Sequence, residues 1–175
     1  ILSEDENGFY RWFKGGKLNT SYLLLDHHVE CGRGDQTALI YDSPVTNSQR
    51  KFSFKELLEE VAKFAGLLRV KGIEKGDRVI IYMPMIPEAL VAMLACARLG
   101  AIHSVVFGGF APKELAIRID DAKPKVLLTA SCGIEFTNVI EYKPLVDEAL
   151  RISKYPPQTV ILFQRSQSKA SMKSG

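Results

Sequence analysis

Between residues 79 and 163 the chain alternates short apolar runs with helix-like stretches, and this alternation constrains the fold more than any other feature. Val79-Ile80-Ile81-Tyr82-Met83, Ala101 to Phe107, Val126 to Ala130 and Thr159 to Phe163 read as strands. Pro87 to Leu99, Pro112 to Asp121 and Pro144 to Ser153 read as the helices between them. Strand-helix-strand order of this kind predicts an α/β fold, a parallel sheet with flanking helices joined by right-handed crossovers. The 87–99 helix has Pro87 near its first turn and Gly100 just past its end. Its residues are apolar almost all round, so it needs cover on several sides, and apolar surface left open there favours association.

Upstream, Ser53-Phe54-Lys55-Glu56 fits a capping box, with Phe52 and Leu57 as a hydrophobic staple. Apolar residues at Phe54, Leu57, Leu58, Val61, Phe64, Ala65 and Leu68 then mark one helical face, and Gly72 is its stop. Thr37 to Tyr41 and Arg50 to Phe52, separated by a turn at Asp42-Ser43-Pro44, predict a hairpin. Residues 23–30 suggest a short helix, and residues 1–22 an extended aromatic segment that wraps onto a larger body. The organisation expected is therefore 1–52 (extended segment, short helix and hairpin), 53–165 (parallel α/β unit) and 166–175 (a loose polar tail).

Composition narrows the function. Lys and Arg number 23 against 20 Asp and Glu, a net charge of +3. The basic residues are scattered among acidic neighbours, which argues against a nucleic-acid binder. No apolar run approaches the roughly 18–20 residues of a membrane span. Cys31, Cys96 and Cys132 are too few and too far apart for a disulfide framework and suggest a reducing compartment. The sequence opens on Ile1 with no readable leader, which suggests a fragment or a processed product.

In parallel sheets ligands bind outside the carboxyl ends of the strands. Three such ends stand out: Met83-Pro84-Met85-Ile86-Pro87, Phe107-Gly108-Gly109-Phe110 and Ser131-Cys132-Gly133. The glycine pair lets a ligand approach the backbone, and the helix opening at Pro112 offers N–H groups to an acceptor such as phosphate. A tight turn without a ligand explains the same two glycines slightly better. The proline-rich loop reads as a packed crossover. No Gly-x-Gly-x-x-Gly and no Walker motif occurs. Cys132 as a nucleophile would need His103, which reads as a mid-strand residue, so a thiol enzyme is disfavoured. His27 and His28 read as solvated or capping residues, and no spacing matches a zinc site. Lys14, Lys17, Arg118, Lys123 and Lys125 could line a phosphate surface but read more simply as solvated.

Longer runs resemble a known family. These are Arg11-Trp12-Phe13-Lys14-Gly15-Gly16-Lys17-Leu18-Asn19 with Tyr22 and Asp26-His27-His28, then Gly76-Asp77-Arg78-Val79 and Tyr82 to Ala89. The longest extends from Met93 to Phe110, and Phe163-Gln164-Arg165 follows near the end. Together they are similar to AMP-forming short-chain acyl-CoA synthetases over nearly the whole chain. Thr129 to Glu135 and Tyr142-Lys143-Pro144-Leu145 resemble the propionate-type branch more than the acetate branch.

The resemblance implies a two-step ligase. A carboxylate attacks the α-phosphate of Mg-ATP, giving acyl-adenylate and pyrophosphate, and the thiol of CoA then displaces AMP. ATP with Mg2+, CoA and a short carboxylate would be the substrates, with no nucleic acid and no membrane, in the mitochondrial matrix or cytoplasm. The family's Phe-Gly-Gly run contacts the CoA nucleotide, which points to Phe107, Gly108 and Gly109. A second CoA stretch, bounded by arginines in the acetate branch, falls on Glu135, Phe136, Thr137 and Asn138. Both arginines are missing here, and the propionate-type branch typically keeps the last, so bidentate phosphate binding at Asn138 is lost. The family's phosphate loop, adenine contacts, acyl pocket and C-terminal domain are expected downstream, together with further chain to pack against, so these residues alone are expected to be inactive. A non-catalytic module binding CoA or a nucleotide is the second reading. A Rossmann-like oxidoreductase is the third and lacks its fingerprint.

Overall fold

Strand β5 (Arg78–Met83) is the axis of the molecule, and Val79, Ile80, Ile81 and Tyr82 on it are fully buried. A strand with both faces covered can be apolar at consecutive positions, because alternate side chains enter different cores. Val79, Ile81 and Met83 pack under α1 (Phe54–Val70) and α2 (Pro87–Leu99), while Ile80 and Tyr82 pack under α3 (Pro112–Ala122) and α4 (Tyr142–Ile152). Each buried aliphatic side chain contributes about 1.5–3 kcal/mol. The computed structural model describes residues 1–172. It shows a four-stranded parallel sheet in the order β10-β7-β5-β6, with β6 Ile102–Phe107, β7 Val126–Ala130 and β10 Thr159–Phe163. The parallel α/β class read from the sequence is the class observed.

Local chemistry sets the helices. The Glu56 N–H donates to Ser53 Oγ at 3.2 Å, and the Ser53 N–H donates to Glu56 Oε2 at 2.8 Å, completing the capping box. That backbone donor, followed by the Ser53 hydroxyl, holds the Glu56 carboxyl below its usual range. Phe52 and Leu57 are both buried in the α1/α2 core, as a staple requires. α2 packs against both α1 and the sheet with Ala92, Ala95 and Cys96 wholly buried, so most of its cover is supplied from within the described residues. Open apolar surface lies elsewhere: on the edge strand β6, where Ile102, Val105 and Phe107 are exposed, and on the N-terminal segment, where Phe9, Tyr10, Trp12 and Phe13 are exposed.

That segment forms a small antiparallel pair, β1 (Leu2–Glu4) with β2 (Tyr10–Trp12). A helical stretch of two π-type pieces, Tyr22–Asp26 and Val29–Arg33, follows, then the predicted hairpin as β3 (Thr37–Ser43) and β4 (Ser48–Ser53). The Asn19-to-Asp26 signature has a structural task. Asn19 Nδ2 donates to the carbonyls of Ala97 and Arg98, both at 3.1 Å, at the end of α2, where the Ala97 carbonyl also accepts the Gly100 N–H. Arg98 donates to both Asp26 oxygens, at 2.7 and 2.9 Å. His28 stacks on Phe54 at 4.3 Å between ring centroids and is half-buried, so it is a packing residue rather than a solvated one.

Two regions depart from the expectation. An antiparallel hairpin, β8 (Cys132–Glu135) and β9 (Asn138–Glu141), stands between β7 and α4, and α4 begins at Tyr142 rather than Pro144. The stretch expected to be loose after residue 165 is held at several points. Ser131 Oγ donates to Ser168 O at 2.6 Å, and Gln164 and Ala170 exchange two hydrogen bonds. The last three residues of that stretch, 173–175, lie outside the described residues. The Asp26–Arg98 clamp is testable: Asp26→Ala should cost about 1–3 kcal/mol in urea unfolding, the range for hydrogen bonds to a charged group. Asn19→Ala should cost about 1 kcal/mol, as for a lost cap.

Candidate functional site

The connections leave the sheet in opposite directions. The loop after β5 leads to α2 on one face, whereas those after β6 and β7 lead to α3 and α4 on the other. A parallel sheet opens a crevice at its carboxyl end where neighbouring connections diverge in this way. A cavity of about 390 Å³ occupies that place. Its walls come from the Met83–Ile86 loop, Phe107 and Gly108 after β6, Ile134 and Glu135 of β8, the β3–β4 turn, and Tyr142 and Arg165.

Tyr142 explains two of the glycines. A Cβ at Gly108 would overlap the Tyr142 hydroxyl and stand 3.0 Å from the Met83 carbonyl oxygen. A Cβ at Gly133 would lie 2.6 Å from the same hydroxyl and 2.7 Å from a ring carbon. Both are distances that packed atoms do not tolerate. The close approach that requires glycine at 108 is therefore made by a side chain of the protein itself. Gly109 has a different reason: its φ of +104° lies where side chains are strained, and nothing but Glu135 Oε1, at 3.7 Å, would face a Cβ there. Tyr82 fixes this turn from below. Its hydroxyl donates to the Phe110 carbonyl at 2.9 Å and accepts the Gly109 N–H at 3.3 Å, and its ring lies 4.9 Å from that of Tyr142.

Burial, reinforced by Tyr82 and the negative charge of Glu135 and opposed by the positive charge of Arg165, pushes the Tyr142 phenol up to about 12. Burial likewise raises Tyr82. Both stay protonated at neutral pH, so the cavity offers phenol O–H groups rather than phenolates. The Arg165 guanidinium, about 9% exposed, donates from Nη1 to the Cys132 carbonyl at 2.9 Å, and its backbone N–H donates to Ser131 Oγ at 2.8 Å.

Of the residues singled out in the sequence, Phe107, Gly108 and Glu135 line this cavity, and Gly109 stands beside Glu135. Phe136, Thr137 and Asn138 form the exposed tip of the β8–β9 hairpin, with Phe136 at a φ of +52°. Cys132 and His103 do not meet as neighbours: β5 separates β6 from β7, and Cys132 is wholly buried on β8. Lys125 is paired with Asp77 at 2.6 Å, and Lys123 lies over the Tyr155 ring, so neither belongs to a phosphate surface. Among the described residues no group of three or more His, Cys, Asp or Glu is placed to hold a metal ion. No helix among them is long and apolar enough to cross a membrane. Tyr82, Tyr142 and Arg165 were not singled out as site residues by sequence reasoning. Gly133, just past a strand end, was the available sign of a close approach.

The fold is a doubly wound α/β domain with a crevice at its switch point. Residues 25–174 match the model of the AMP-binding enzyme family, and the chain belongs to that family. It is 62% identical, over its whole length, to an uncharacterised Pseudomonas aeruginosa protein of which it covers 28%. It is 56% identical over 91% of the chain to human mitochondrial acyl-CoA synthetase short-chain family member 3, covering 23% of that protein. It is 45% identical over its whole length to Pasteurella multocida acetyl-coenzyme A synthetase, covering 26% of it. The chain thus spans about a quarter of the length of these relatives.

The glycine contacts predict coupling. Gly108→Ala should destabilise by about 1–3 kcal/mol, the cost of overpacking. Tyr142→Phe in the same chain should recover part of it, read as a double-mutant cycle in urea. A pH effect follows from Tyr142. The folded chain holds this proton to about 12, whereas an ordinary tyrosine loses it near 10.0. Stability from this group is thus present below pH 10 and lost as pH rises towards 12. Melting curves across that interval should fall less steeply for Tyr142→Phe.

Proposed function

We propose that this chain is the CoA-side part of an AMP-forming acid–thiol ligase that activates a short-chain carboxylate. The observation that carries the reading is the crevice where β5, β6 and β7 end, with the Phe107-Gly108-Gly109 turn in its wall. The similarity to short-chain acyl-CoA and acetyl-CoA synthetases supports it. In the first step a carboxylate oxygen attacks the α-phosphate of ATP, its Mg2+ arriving with the substrate, and pyrophosphate leaves. In the second the CoA sulfur attacks the acyl carbon, AMP leaves with the bonding electrons, and the thiol proton goes to solvent. Adenylation supplies the leaving group that a free carboxylate lacks.

In this reading the chain's own residues bind and orient. The Gly109 turn, fixed by the Tyr82 hydroxyl, presents an exposed backbone to the CoA nucleotide, and Phe107 offers an exposed ring beside it. Holding the cofactor handle in a fixed pose lowers the entropic cost of bringing the thiol to the adenylate. Glu135 and the hairpin tip Phe136, Thr137 and Asn138 form the neighbouring wall, where no guanidinium stands at 135 or 138 to grip a phosphate. We infer propionate rather than acetate as the acid, because Thr129–Glu135 and Tyr142–Leu145 carry the propionate-like pattern and Gly133 and Tyr142 are locked together within it. In this reading the ATP-binding parts lie in the three quarters of the relatives' length that these residues do not match, and the full reaction is assayed on a full-length polypeptide. The mitochondrial matrix and the cytoplasm are the compartments this chemistry fits.

Full-length polypeptide carrying this segment should release AMP only when propionate, ATP and CoA are all present. Gly109→Trp should weaken CoA binding by about tenfold or more, or 1.4 kcal/mol. Acid-independent AMP release, or none with any short acid, contradicts the reading.

A further inference from the structure

Among the described residues, Arg165 is a buried charged group without a counter-ion. It follows the last residue of β10 by two positions, beside the carboxyl ends of the strands, and its side chain lines the same cavity as Gly108, Glu135 and Tyr142. A guanidinium carries five N–H donors in a planar fork. Among the described residues only Nη1 has a protein acceptor, the Cys132 carbonyl, and no carboxylate lies within ion-pair distance of the head group. Its remaining donors are not among the buried unpaired atoms, so they open onto the cavity, where an acceptor can reach them. The backbone fixes the residue there, through the Ser131 hydroxyl and the bridge between Arg165 and Ser168.

The cavity is electrically divided. Arg165 sits against Cys132, at the root of β8, and Glu135 ends the same strand three residues on. At roughly 3.3 Å per residue the two ends of this strand are about 10 Å apart, close to a Debye length in physiological salt. An anion is repelled at the Glu135 end and drawn to the Arg165 end, while the Glu135 end carries Gly109 and the exposed Phe107 ring. We infer that Arg165 is a binding residue for a phosphate oxygen of the CoA nucleotide, gripping it from β10 in place of the guanidinium absent at Glu135 and Asn138. This assignment rests on the CoA reading above and adds a residue to it.

The test compares CoA with pantetheine, which has no phosphate, in calorimetric titrations of the full-length polypeptide and its Arg165→Gln and Arg165→Lys variants. Arg165→Gln should weaken CoA by about tenfold or more, as for loss of a charge-assisted bidentate contact, and leave pantetheine within about twofold. Its CoA affinity should also fall less steeply with added salt, because one ionic contact is gone. Arg165→Lys, which keeps the charge but not the fork, should fall between wild type and Arg165→Gln for CoA alone. Equal losses for CoA and pantetheine mean that Arg165 only props the wall, and overturn the inference. So does wild-type CoA affinity in Arg165→Gln, or, should that variant not fold, wild-type CoA affinity in Arg165→Lys. In both cases the CoA reading stands. Failure of the unaltered polypeptide to bind CoA overturns both.

Discussion

The Tyr142 ring, seated where Gly108 and Gly133 leave room for it, joins parts of the molecule that the sequence keeps apart. Gly108 opens the connection that leaves β6, Gly133 lies in the hairpin after β7, and Tyr142 opens α4. One aromatic side chain thus sets the spacing between the loops of two strands that flank β5. Tyr82 completes the arrangement from within the sheet, stacking near Tyr142 and holding the Gly109 turn through its hydroxyl. The shape of the crevice is set by this packing, before any ligand enters. A preformed site of this kind lowers the ordering cost of binding.

Much of the architecture was legible because it rests on short-range rules. Ser53 and Glu56 stand three residues apart, and that spacing allows both capping bonds to form. The strands β5 and β7 stand out because burial on two faces forces consecutive apolar residues. The β8–β9 hairpin escaped for the opposite reason. Its strands are short, and β9, Asn138–Glu141, is mostly exposed, so neither alternation nor apolar run marks it. α4 was placed two residues late because Pro144 resembles a helix start, whereas Pro is also tolerated at the third helical position, whose N–H has no partner within the helix.

The site was legible only in outline. Phe107, Gly108 and Glu135 could be marked from the sequence as strand-end residues and by resemblance. The reason for the glycines could not, because Tyr142 approaches from 34 residues beyond Gly108. Arg165 is one cation among 23 Lys and Arg, and only the fold shows that it is buried. Asn19 and Asp26 illustrate the reverse case. They belong to a run that marks the family, yet their partners are the carbonyls at the end of α2 and the Arg98 side chain, so their work is to dock the N-terminal helical stretch.

Among the described residues β6 is an open edge of the sheet. His103, Val105 and Phe107 lie opposite Val79, Ile81 and Met83 of β5, on the face where α2 covers the centre of the sheet but not its rim. An uncovered parallel edge exposes both backbone donors and apolar side chains, a combination that invites pairing. The last residue in this register, Phe107, is also a wall of the crevice. The apolar edge and the crevice therefore share one residue, Phe107.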